Sequence, residues 1–231
     1  MNRNVDINLL ASLNLPVLCL DTCVFLDLIR DVTRDSILVH NIKAGVDLLS
    51  KAEDDNSVIV LMAEQVKLEL SDNEQSVEDE LTTSLSRFKS RVKKVSDIVS
   101  AFGFSGELSI DNLDGHVSRA KNILERWKRI SYLVPQNTAI VTSAYRRVSL
   151  SITPARKGKD SMKDCVVTET YLDISRELRE LGLTAPIVFS SSNTKDYFIS
   201  NKLADDLAAD FSRYDIQYST GLGEAKHLLG V

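Results

Sequence analysis

Three short stretches of this chain are apolar at every position: residues 17–20 (Val-Leu-Cys-Leu), 58–62 (Val-Ile-Val-Leu-Met) and 187–189 (Ile-Val-Phe). Strands buried on both faces have this unbroken pattern, whereas half-exposed strands alternate. Between these runs, apolar residues recur at helical steps. Ile37, Leu38, Ile42, Val46 and Leu49 form one stripe; Val77, Leu81, Leu85, Phe88, Val92, Val95 and Val99 form a longer one, closed by Gly103 and Gly106. A third (Val117, Ala120, Leu124, Trp127, Ile130) stops before Pro135, and a fourth (Cys165, Val166, Leu172, Leu178) ends at Gly182, well placed as a C-cap. Residues 5–13 read as a short leading helix or arm, 198–211 as a helix carrying Leu203 and Leu207, and 216–218 as a closing strand. Strands alternating with helices predict an α/β fold built on an open, mostly parallel sheet. One domain spanning residues 1–231 is expected, with 72–135 as an α-helical insertion.

The chain has 231 residues, 43% of them hydrophobic, which is ample for one buried core. Its net charge of -5 argues against a protein that coats nucleic acid non-specifically, because that mode draws on spread positive charge. Any nucleic-acid contact should therefore be local. The three cysteines, Cys19, Cys23 and Cys165, are too few for a disulfide framework and lack C-x-x-C spacing, so they read as small buried hydrophobes in a reducing compartment. No apolar stretch approaches the roughly 18 residues that a membrane span requires. A cytoplasmic protein without a membrane partner is expected.

The candidate chemistry lies where the apolar runs stop. The first is followed at once by Asp21-Thr22, and the third leads into Ser190-Ser191-Ser192-Asn193-Thr194-Lys195-Asp196. Glu69 opens the helical segment after the second run, and Asp164 opens the helix that precedes the third. Ligands of open parallel sheets bind beyond the carboxyl ends of the strands, where these acids would gather. Two carboxylates about 5 Å apart repel by roughly 3 kcal/mol at an effective dielectric near 20, so a cluster demands protonation or a cation. Oxygen-only ligands suit Mg²⁺ or Mn²⁺, while the histidines at 40, 116 and 227 are scattered without the spacing that zinc would want. A hard dication among carboxylates is the apparatus of phosphodiester chemistry. Each acid also has a purely structural reading: Asp21 as a helix cap, Glu69 as a surface helix residue, Asp164 as the end of a Ser161-x-x-Asp164 capping box with Asp160 as its rival, and Asp196 as a solvated loop acid.

The order of these segments resembles the PIN-domain family. The resemblance rests on Leu20-Asp21-Thr22-Cys23-Val24-Phe25, Val66-Lys67-Leu68-Glu69-Leu70, the Lys159–Glu169 segment that opens a helix, and Phe189 to Tyr197. It implies a Rossmann-like, mostly parallel sheet flanked by helices and a Mg²⁺- or Mn²⁺-dependent nuclease, usually acting on RNA. Asp21, Glu69 and Asp164 would match the first three acids of the family, and Thr22 the small hydroxyl residue beside them. Where the family commonly reads Thr-x-Asp-x-Asp-Phe, this chain has Ser192-Asn193-Thr194-Lys195-Asp196-Tyr197. Thr194 thus replaces one aspartate, Asp196 would carry the role, and Asn193 or Ser192 would contribute neutral oxygens. The pattern looks like that of larger PIN proteins with a helical insertion and a basic loop, in which Arg146, Arg147, Arg156, Lys157 and Lys159 would follow the substrate backbone. Many PIN domains are dimers, and the amphipathic insertion offers a surface for a homodimer.

Three functions compete on these residues. One is a metal-dependent endoribonuclease using Asp21, Glu69, Asp164 and Asp196. The alternative is a catalytically weak or inactive PIN-like module that binds RNA or protein, motivated by Thr194. A phosphohydrolase with Asp21 as covalent nucleophile fits less well, because Cys23 stands where that chemistry wants a second aspartate. No G-x-G-x-x-G follows the first strand, which argues against a dinucleotide cofactor. Trp127, Tyr145 and Tyr197 are the candidates for base stacking, with Trp127 the better core residue.

Overall fold

The computed structural model describes residues 3–104, 106, 109–159 and 161–231. In chain order the elements are β1 (Arg3–Asn4), α1 (Ile7–Leu13), β2 (Val17–Leu20), α2 (Thr22–Asp27), α3 (Val39–Glu53), β3 (Ile59–Ala63), α4 (Glu64–Ala101), α5 (His116–Ile130), β4 (Tyr132–Val134), α6 (Thr138–Leu150), α7 (Met162–Glu180), β5 (Ile187–Ser190), α8 (Thr194–Tyr197), β6 (Phe198–Ile199), β7 (Lys202–Leu203), α9 (Asp205–Arg213), β8 (Ile216–Ser219) and α10 (Leu222–Leu229). Six strands form one sheet in the order β1-β4-β3-β2-β5-β8, and every pairing within it is parallel. The mostly parallel α/β architecture expected from the apolar runs is the one observed.

The three unbroken apolar runs are the three central strands, and every residue of β2, β3 and β5 is buried. Helices cover both faces. α7 crosses from β4 back to β5, and its inner face (Val167, Tyr171, Ile174, Leu178) joins the same core as the strands. Strand order reverses at β2, which is flanked by β3 on one side and β5 on the other. A crevice opens beyond the carboxyl ends of such strands, and Asp21 follows β2 immediately.

Tyr171 sets the width of that crevice. The β2–β3 ladder pairs Val17 with Ile59, Leu18 with Val60 and Cys19 with Leu61. Beyond this point the Tyr171 hydroxyl enters between the strands, donating to the Leu20 carbonyl at 2.6 Å and accepting from the Ala63 N–H at 3.0 Å. Tyr171 lies seven positions after Asp164, two helical turns along the same face of α7. Its anchorage therefore sets the height at which Asp164 stands over the strand ends.

The excursion between β3 and β4 consists of a 38-residue helix, α4, running unbroken through position 72, and of α5, after which Tyr132–Val134 returns as a sheet strand. At 1.5 Å per residue α4 is about 57 Å long, longer than the core it leaves. Leu81 and Leu85 of its stripe are buried, while Phe88, Val95 and Val99 face solvent. The stretch 198–211 is a two-stranded hairpin (β6–β7) followed by α9, not one helix. Arg146 and Arg147 belong to α6, not to a loop.

Replacing Tyr171 with Phe is expected to lower stability by about 1–3 kcal/mol, because the Ala63 N–H is left buried without a partner. Urea unfolding checks this; an unchanged midpoint would show that the strands close the gap themselves.

Candidate active site

The Leu20–Ser190 pair is the last rung between β2 and β5, so the next residues, Asp21 and Ser191, emerge side by side. Asp21 is only 6% exposed and caps α2. Its Oδ1 accepts from the Thr22 N–H at 2.7 Å, and its Oδ2 accepts from the Ser191 hydroxyl at 2.5 Å and from the Cys23 thiol at 3.5 Å. The capping reading of Asp21 is thus realised. Burial raises its pKa, opposed by the Ser191 and Thr22 bonds and reinforced by the charge of Glu69.

Glu69 reaches the same place from the second turn of α4. Its Oε2 accepts from the Thr22 hydroxyl at 2.8 Å and its Oε1 from the Gln65 amide at 3.1 Å. Asp164 stands in the first turn of α7. Its carboxyl is pushed up to about 7, first by burial and then by the charges of Asp21 and Asp196, with Lys159 acting against them and Glu69 with them. Asp196, on α8, is buried and accepts from the Asn193 amide at 2.6 Å while pairing with the Lys159 ammonium. Burial alone would raise its pKa, but the bonds from Lys159 and Asn193 hold it below the usual carboxylate value.

The charges of Asp21, Asp196 and Glu69 thus all act on Asp164 near the carboxyl ends of the central strands. Among the described residues, however, no group of three or more His, Cys, Asp or Glu side chains is placed so that it could hold a metal ion. The carboxylate oxygens are instead engaged by Thr22, Ser191, Asn193 and Lys159. This donor set is nonetheless one of oxygens, with an ammonium already among them, and it fits a hard dication far better than zinc.

The remaining expected residues divide. Thr22 is at the centre, bonded to Glu69, and Asn193 is bonded to Asp196. Ser192 turns away and donates to Asp27 at 2.7 Å. Asp160 lies outside the described residues. Ser161 precedes α7 but makes no side-chain capping bond, so the expected capping box does not form. Thr194, which stands in place of a family aspartate, lines a neighbouring cavity.

The five basic residues do not form one track. Arg147 is 5% exposed and cannot meet a substrate: its guanidinium pairs with Glu169 and with Asp210 at 2.5 Å, and donates to the Thr153 carbonyl at 2.7 Å, tying α6 to α7 and α9. Arg146 lines a separate cleft with Arg176 and Arg213. Arg156 and Lys157 line another beside Phe198 and Ile199, with Arg156 donating to the Phe198 carbonyl at 2.9 Å. Only Lys159, of these five, meets the acids. Trp127 and Tyr197 are fully buried in the core, which leaves Tyr145 exposed among the stacking candidates.

Sequence reasoning missed Ser191, Cys23 and Gln65. Ser191 could have been found from register, since it follows β5 as Asp21 follows β2. Cys23 was expected to be an inert hydrophobe like Cys19 and Cys165. It lies instead between Asp21 and Ser191, 3.4 Å from the Ser191 hydroxyl, and burial followed by the Asp21 charge pushes its thiol up to about 12, so it remains protonated.

A PIN-domain profile matches residues 18–197, and the chain belongs to the PIN-domain family, whose members are generally nucleases. No curated protein matches the chain, and no solved structure does. Among the described residues no helix is long and apolar enough to cross a membrane.

Asp164 holds its proton more tightly in the folded protein, to about 7, than an ordinary carboxyl near 3.8 does. The folded state thus binds more protons than the unfolded one between these values, and metal-free stability should fall as pH rises from about 4 to about 7. Asp164→Asn should weaken that decline and leave the variant about 1–2 kcal/mol more stable than the parent at pH 8. Thermal melts in chelator across this range check it; parallel profiles for the two proteins would refute it.

Proposed function

We propose that the protein is a Mg²⁺- or Mn²⁺-dependent endoribonuclease. The observation that carries this reading is the convergence of Asp21, Glu69, Asp164 and Asp196 at the carboxyl ends of the strands, with the Asp164 carboxyl raised first by burial and then by its neighbours' charges. Asp21, Asp164 and Asp196 would hold the ion, with Glu69 as the fourth ligand or a ligand through water. When bound, the dication would neutralise the acids and polarise the phosphoryl group and water. The chain's own residues do the rest. Thr22 holds Glu69 in one rotamer, and Ser191 with the Thr22 N–H orients both oxygens of Asp21. Asn193 holds Asp196 by donating its amide N–H to one carboxylate oxygen.

Lys159 supports the same reading from the other direction. Its ammonium offsets negative charge at Asp196, and once a dication took over that task it would be free to meet a substrate phosphate. Arg156 and Lys157, exposed nearby in sequence, would extend that contact along the strand. A catalytically silent RNA- or protein-binding PIN module is favoured by one specific feature, the threonine at 194.

Incubation of labelled single-stranded RNA with Mn²⁺ separates the two. The parent should cleave it, Asp21→Asn should fall to background, and Ser191→Ala should lose about 10- to 100-fold, as expected when a ligand loses its orienting partner. Equal cleavage by the parent and Asp21→Asn would refute the assignment.

A further inference from the structure

Beside the acids, and sharing the strand-end loop with them, is an open cavity of about 570 Å³. Cys23 and Asn193 belong to its wall as well as to the site. Val24, Leu28, Ile37, Leu38 and Leu222 give it apolar faces, Ser36, Asn41 and Thr220 add polar groups, and Lys195 lines it together with Arg34, which pairs with Glu80 at 3.7 Å. Asp27, the acid within the wall, is occupied on both oxygens, by the Ser192 hydroxyl at 2.7 Å and by Arg30 at 2.9 Å. The last strand-end position that could have brought in negative charge is Thr194. The cavity is thus lined by both apolar and polar side chains, carries Lys195 and Arg34 in its wall, and shares Cys23 and Asn193 with the proposed cleavage centre.

The geometry points to a nucleobase subsite: this cavity takes the base of a nucleotide adjoining the scissile phosphate, while Lys195 and Arg34 take its backbone phosphate. The inference rests on the nuclease reading and deepens it by assigning this cavity to a base beside the scissile phosphate. A base in a duplex is stacked on both sides and cannot enter a pocket, whereas an unstacked one can be held between side-chain faces. The size suits a nucleoside, since pockets for small ligands run from about 300 to 1,000 Å³. The site also explains why a chain of net charge -5 need not bind polynucleotide through charge alone: the apolar faces add affinity that the two cations cannot.

The test uses binding without cleavage. Full-length Asp21→Asn protein in chelator is titrated, by fluorescence anisotropy, with a labelled single-stranded RNA hexamer and with a hexamer of the same ribose-phosphate backbone carrying no bases. The base-bearing hexamer should bind about tenfold more tightly. Leu38→Ser removes one apolar face at a half-exposed position, and serine there can cap α3, whose N-cap Leu38 makes no side-chain bond, so folding is protected. This substitution should cut the tenfold preference by about fivefold. Lys195→Ala should weaken both hexamers alike, as a phosphate contact does. Equal binding of the two hexamers, or a preference untouched by Leu38→Ser, would overturn the subsite. Either result can stand beside RNA cleavage by the parent protein, and a cleavage-dead parent can still show the preference, so the two readings fail separately.

Discussion

A buried carboxylate at the end of the central strand is the constraint around which the rest of the site is arranged. Asp21 cannot be moved to solvent without undoing β2, and it cannot be left unpaired without a desolvation cost of several kcal/mol. The parallel register supplies the answer: β5 lies beside β2 rung for rung, so Ser191 arrives where its hydroxyl can donate to Asp21. From that bond the loop continues with one side chain after another committed to an acid, Ser192 to Asp27 and Asn193 to Asp196. Three successive residues of one strand-end loop thereby bond three carboxylates, two at the opposite ends of α2 and one on α8.

Charge is balanced locally. Hydroxyls and amides orient the acids without neutralising them, and the Asp164 carboxyl is raised by burial and, after it, by the charges of Asp21 and Asp196. Lys159 offsets part of that charge at Asp196. Arg147, a second cation with two acidic partners, does different work: it is sealed between α6, α7 and α9, where removal would strand Glu169 and Asp210. Two residues from the same basic segment thus have opposite fates, one bracing the helices behind the sheet and one facing the cleft in front of it.

The limits of the sequence pattern follow from edges. β2, β3 and β5 are central, buried on both faces, and appear as unbroken apolar runs. β1 and β4 lie at one side of the sheet and are two and three residues long, too short for any period to show. The end of α4 shows the converse failure. Its apolar stripe continues past Leu85, yet Phe88, Val95 and Val99 are exposed because the core ends before the helix does. Periodicity records which face of a helix is apolar and says nothing about whether a neighbour covers it.

What the linear order of residues determined by itself was the alternation of strands and helices, and with it the places where acids follow apolar runs, because burial on two faces and helical spacing are both local patterns. The identities of Asp21, Glu69, Asp164 and Asp196 were legible for that reason. Only the tertiary structure decided their partners. Ser191 against Asp21, Thr22 against Glu69 and Lys159 against Asp196 join residues about 40 to 170 positions apart. Strand register and helix crossing bring such pairs together, and neither leaves a periodic mark in the chain. The same holds for the basic residues, whose crowding between 146 and 159 suggested one surface until α6 turned Arg147 inward.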